Sequence, residues 1–247
     1  MGHHMELELL ATLISEIVPT PSSHDFNRYP PLFSFEGLPG AGKSTQIKRV
    51  ASAFAHKYGK AFFIDLPSQS GIAKVLKSLY SDQSRWHEVR KTLPWLNPLL
   101  ISLDLHIMLS RAYDENAHYA LMSRGILSTY YYNLDAFQQE NDIDFESAWD
   151  KLSVLLKVFV KPKAIIFLDI PIETAYERVV KRNRHPIRKM DSKENMCADL
   201  DRINSYIRRL DQSIQIYHVA ANQSENKVTE DIGKILSNYM GETVFND

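Results

Sequence analysis

The pattern G-x-x-x-x-G-K-[ST] constrains this 247-residue chain more than any other feature. It reads Gly37-Leu38-Pro39-Gly40-Ala41-Gly42-Lys43-Ser44. The apolar run Leu32 to Phe35 precedes it. A helical repeat of Ile47, Val50, Ala51 and Phe54 follows to about Tyr58, where Gly59 is a helix stop. Strand, glycine loop and helix is the setting in which such a loop cradles phosphate. The loop turns backbone N–H groups inward as an anion nest, and the helix aims its positive end at the same point. Lys43 adds a charge for the outer phosphates, and the Ser44 hydroxyl suits Mg²⁺. Residues Gly37 to Thr45 are therefore the expected contacts to nucleotide phosphates. A plain glycine-rich turn at a helix start is the competing explanation, which the flanking elements disfavour.

The rest of the chain alternates strands and helices. Ala61 to Ile64 reads as a buried strand ending at Asp65-Leu66-Pro67. Ligands of open α/β sheets gather at the carboxyl ends of strands, so Asp65 stands where an acceptor-binding carboxylate is expected; capping or turn formation is the alternative. Residues 71–80 form a short helix, 82–97 a polar and Pro-rich loop, and about 98–118 a long helix carrying Asp104, turned to the crevice or to solvent. Tyr119 to Ser123 is a third strand with Arg124 at its end, and Ser128 to Tyr132 starts another helix. A strongly amphipathic helix covers 145–159, its stripe serving as core or as a homodimer surface. Ala164 to Asp169 is the fourth strand, and Pro171 suits the first turn of the next helix. That helix sets Arg178 and Arg182 on one face, with Arg184 and Arg188 continuing the basic run. A helix over 194–210, a strand over 214–219 and a closing helix complete the chain. The sum is an α/β fold, a five-stranded parallel sheet with helices on both faces.

Composition sets outer bounds. Lys and Arg total 29 against 30 Asp and Glu, a balance that argues against bulk binding to nucleic acid or membrane. Cys197 is the only cysteine, which suits a reducing, cytoplasmic setting. Residues 1–5 read as a tag remnant, 6–31 as an N-terminal helix and Pro/Ser-rich linker, and 32–247 as one phosphate-loop domain.

Several separated segments resemble the thymidylate kinase family and its deoxynucleoside-kinase relatives. Glu36 to Gln46 is similar to the family's opening E-G-x-x-G-A-G-K-[ST]-T-Q. Ser123-Arg124 with Ser128 and Tyr132 is similar to its D-R-Y-x-x-S-x-x-x-Y block. Leu168-Asp169-Ile170-Pro171 with Arg178, Arg182 and Arg184 is similar to the block that leads into a mobile lid. The resemblance implies the P-loop kinase fold with an Arg-rich lid, ATP and Mg²⁺, and a small nucleotide or nucleoside acceptor. The departures fall on the acceptor side. Ser123 replaces the family Asp, Leu105 stands where an acceptor-side Arg is expected, and Leu66-Pro67-Ser68-Gln69 replaces an E-P-G-G type segment.

The resemblance assigns Lys43 to the β- and γ-phosphates, and Arg124 to the acceptor and the moving phosphoryl group. Arg178, Arg182, Arg184 and Arg188 would close over the donor. Asp65, Pro67, Asp104, Leu105, Arg124, Ser128 and Tyr132 mark the acceptor side; a core role for Tyr132 is equally open. Three activities compete: a nucleoside monophosphate kinase, a kinase of nucleosides or other small hydroxyl acceptors, and a non-catalytic nucleotide-binding switch.

Overall fold

The computed structural model describes residues 29–182, 192–210 and 212–240. The expected N-terminal helix over 6–18 lies outside them, as do Arg184 and Arg188. The strands are β1 (Leu32–Glu36), β2 (Ala61–Asp65), β3 (Tyr119–Ser123), β4 (Ala164–Asp169) and β5 (Gln215–Ala220). They form one sheet in the order β2-β3-β1-β4-β5. β1 pairs in parallel with β3 and with β4, and β4 with β5. The helices are α1 (Lys43–Tyr58), α2 (Gly71–Ser81), α3 (Gln83–Thr92), α4 (Leu96–Asp114) and α5 (Ile126–Asn141). They continue with α6 (Phe145–Leu155), α7 (Ile172–Lys181), α8 (Lys193–Ile207) and α9 (Glu225–Met240).

The chain divides into two compact units whose segments interleave in sequence. One comprises Pro31–Phe63, Asn116–Leu127 and Pro162–Asp247, and it carries the sheet, α1 and α7 to α9. Burial there follows strand position. The three inner strands are near-continuous apolar runs, with Phe33, Phe35, Ala120, Leu121, Ile165 and Ile166 fully buried. The outer strands are not, which corrects the reading of Ala61 to Ile64 as a buried strand. β2 is an edge, and its Phe63 is 49% exposed.

The other unit contains Ile64–Glu115 and Ser128–Lys161, and it is helical. Leu76, Leu105, Leu109, Leu134, Leu152 and Leu155 are fully buried within it. The 145–159 stripe is core: Ala148, Trp149, Leu152 and Leu155 are buried, and the Trp149 and Tyr130 rings stack with centroids 4.2 Å apart. Residues 83–92 form α3 rather than the expected loop. This helix has no buried residue, so it carries no apolar repeat to read; its visible cue is Asp82, which accepts a hydrogen bond from the N–H of Arg85. α4 stops at Asp114, four residues before His118, and Pro171 caps α7 from just outside its first turn.

Candidate functional site

In the sheet unit the phosphate loop leaves β1 and enters α1. Gly37 and Gly40 have φ of +130° and +84°, which L side chains rarely adopt. At Gly40 a Cβ would lie 2.3 Å from the carbonyl oxygen of Ala175 on α7, so the loop needs glycine for contact as well as for conformation. Lys43 opens α1, yet its side chain turns back into the loop. Its Nζ donates to the carbonyl oxygens of Gly37 at 2.6 Å and Leu38 at 2.9 Å. The residue is 9% exposed. Burial pushes the Lys43 ammonium down to about 7; Arg124 and Arg182 push the same way, while Glu36 opposes them. The two arginines thus add to the positive charge that Lys43 carries, which a polyphosphate would offset. Ser44 follows, exposed in the first turn, and no acidic residue occupies that turn to compete for the helix's positive end.

Arg124 is positioned by the turn after β3. Its φ is +67°, a left-handed conformation uncommon away from glycine. Two hydrogen bonds hold it: its own N–H donates to the Phe35 carbonyl at 3.0 Å, and the N–H of Gly125 donates to the Glu36 carboxylate at 2.7 Å. Glu36 positions this turn, a role that its place in the motif does not reveal. A charged residue closing an otherwise apolar strand was the available signal.

The lid arginines separate. Nη2 of Arg178 donates to the Ala221 carbonyl at 3.1 Å, whereas Arg182 is exposed at the end of α7. A cavity of about 260 Å³ opens beside the loop, with Leu38, Asp169, Pro171, Leu200 and Asn222 in its wall. Asp169 on its rim pairs with His218 Nδ1 at 2.9 Å.

The acceptor-side residues belong to the helical unit, apart from Arg124. Asp65 is exposed at the end of β2, Pro67 and Ser128 are half-buried, and Tyr132 is 38% exposed on α5, so it is not a core tyrosine. Asp104 faces neither crevice nor solvent. It is 0% exposed, and its carboxylate accepts from Ser68 N–H (2.7 Å), Ser68 Oγ (2.6 Å) and Ser70 Oγ (2.6 Å). It thus pins the segment between β2 and α2, where Ser70 also caps the helix by accepting from Ala73 N–H. Leu105 is likewise 0% exposed, a core side chain.

A glycine loop with its lysine folded inward, mounted on a five-stranded sheet, defines an ATP-dependent phosphotransferase of the P-loop kinase class. The thymidylate kinase family model matches residues 35–232, and the chain belongs to that family. It is a nucleotide monophosphate kinase by this membership. The probable thymidylate kinase of Archaeoglobus fulgidus is 26% identical over 216 residues, covering 85% of this chain and 96% of its relative. That of Methanobrevibacter smithii is 24% identical over 208 residues, covering 84% and 94%. The thymidylate kinase of Staphylococcus haemolyticus is 24% identical, covering 84% and 97%. The structure of the thymidylate kinase from Candida albicans shares the fold at a TM-score of 0.58 and 19% identity, covering 85% of this chain and 92% of that one.

Proposed function

We propose that this enzyme transfers the γ-phosphoryl group of Mg²⁺-bound ATP to thymidylate or a closely related nucleoside monophosphate. The observation that carries the reading is the phosphate loop itself, with Lys43 folded inward onto the carbonyls of Gly37 and Leu38. Backbone N–H groups from Gly40 to Ser44 hold the β-phosphate, and Lys43 bridges to the γ-phosphate. Arg124 contacts the acceptor and the phosphoryl group in flight. Arg182 adds charge on the donor side, while Arg178 braces α7 through Ala221. Phosphoryl transfer depends on positioning and charge neutralisation, which these cations supply. The exposed Ser44 hydroxyl fits Mg²⁺, an ion that commonly takes one or two protein oxygens and completes its shell with phosphate and water. When bound, it neutralises phosphate charge. The enzyme belongs in a reducing cytosol and needs no nucleic-acid partner.

A second reading, a nucleoside as acceptor, is favoured by one pair of observations. Leu105 is fully buried where a phosphate-binding Arg is expected, and Asp65 offers an exposed carboxylate at a strand end. A hydroxyl acceptor has a proton to lose, which a carboxylate can take. A screen of nucleosides and nucleoside monophosphates with Mg-ATP, read as ADP release, tests both. Preferred turnover of thymidylate supports the first reading. Turnover confined to nucleosides overturns it, and no turnover with any acceptor overturns both.

A further inference from the structure

The last residue of the loop motif, Gln46, is one that phosphate does not need. It follows Lys43 by about one turn of α1 and is 4% exposed. Its side chain is taken up by another helix. Nε2 donates to the Glu225 carbonyl at 3.2 Å, and Oε1 accepts from the Thr229 hydroxyl at 2.8 Å. Both partners belong to the start of α9. Turned over, the amide would set its oxygen against the Glu225 carbonyl, so the pairing admits one orientation. Arg49, on the same face of α1, donates to Thr229 Oγ1 at 3.3 Å, to the Glu225 carboxylate at 3.2 Å and to Asn226. Further along, the Phe54 ring leaves no room for a Cβ at Gly233, so the two helices meet closely.

This clasp fixes more than two helices. Only residues 221–224 separate β5 from α9. At the near end of that turn, the Ala221 N–H donates to the Asp169 carbonyl at 2.6 Å, where β4 stops. At the far end stands Glu225, held by Gln46. Between them Asn222 is exposed and forms part of the wall of the cavity of about 260 Å³, as does Leu38 of the phosphate loop. Gln46 and the loop's Lys43 and Ser44 share one helix, so the amide ties the position of the turn to that of the loop.

We propose that Gln46 is a positioning residue for the donor. Through α9 it sets where the 221–224 turn stands against the phosphate loop, and so how much the nucleoside half of ATP adds to the hold on its phosphates. This rests on the loop being the ATP site, as proposed above.

Calorimetry on the full chain compares ATP with inorganic tripolyphosphate, each with Mg²⁺; the second carries three phosphates and no nucleoside. In the wild type ATP should bind the more tightly. Gln46→Leu should weaken ATP about tenfold and leave tripolyphosphate within about twofold. Thr229→Val removes one partner of the amide without altering α1. It should weaken ATP by about threefold, again sparing tripolyphosphate, and it keeps the test in force if Gln46→Leu fails to fold. A merely structural contact would lower the unfolding midpoint without separating the two probes. Equal losses for both probes, or wild-type ATP affinity in the variants, overturns the proposal and leaves the ATP site standing. Binding of neither probe to the wild type overturns the ATP site and the role of Gln46 together.

Discussion

Gly125 donates its backbone N–H to the Glu36 carboxylate at 2.7 Å, so the residue that ends β1 also fixes the turn that presents Arg124. The acidic residue just before the phosphate loop is therefore an anchor for a neighbouring strand's arginine. It also holds the Lys43 ammonium up against burial and the two arginines.

Removing that anchor should misplace Arg124 more than it unfolds the sheet. Glu36→Ala is expected to lower kcat by about 100-fold, the order associated with an ångström-scale misplacement of a positioned group. KM for ATP should change less. Glu36→Gln retains an acceptor oxygen and should fall between the two. Steady-state ADP release checks both variants; wild-type kcat in Glu36→Ala would show that the turn holds itself.

Lys43 makes nucleotide binding sensitive to pH. In the free enzyme its ammonium is pushed down to about 7, and bound polyphosphate favours the charged form and raises it. The ligand therefore prefers the protonated lysine. Affinity should be greatest below pH 7 and fall as pH rises above 7, by up to about tenfold per unit until the bound-state value is reached. Calorimetry in buffers of different ionisation heat should register proton uptake on ATP binding near pH 8. In Lys43→Ala the uptake should vanish and transfer should be abolished. Uptake that persists in this variant would assign the proton elsewhere.

Asp104 is a matter of stability before it is one of catalysis. Asp104→Ala leaves two hydroxyls and one N–H of the Ser68–Ser70 segment without their shared acceptor, which should cost about 3 kcal/mol. Denaturant unfolding of the variant measures this. A midpoint equal to that of the wild type would mean that water replaces the carboxylate without loss.

Asp65 separates the two acceptor readings. With a monophosphate as the best acceptor, Asp65→Asn should leave kcat within a fewfold of wild type, because an anionic nucleophile needs no base. With a hydroxyl acceptor the loss should be about 100-fold or more, the scale of general-base assistance. A hydroxyl acceptor combined with unaltered turnover would eliminate Asp65 as the base.

The parts that were legible share a physical reason. β1, β3 and β4 are near-continuous apolar runs because both of their faces are covered, and the glycine loop is written in residue types that few other structures require. α3 escaped notice because a helix that buries nothing leaves no periodic trace. The burial of Asp104 is hidden for the opposite reason: its partners are not its sequence neighbours, since Ser68 and Ser70 lie more than thirty residues away. The role of Glu36 depends on strand order, which brings β3 beside β1 and which no local pattern encodes.

Leu105 bears on how this enzyme can be re-engineered as well as on what it binds. Its side chain is 0% exposed, so an arginine there would carry a charge into the helical core. A single substitution therefore does not install a phosphate-binding cation at this position: the side chains packed around it must also change, to give a guanidinium room and a partner.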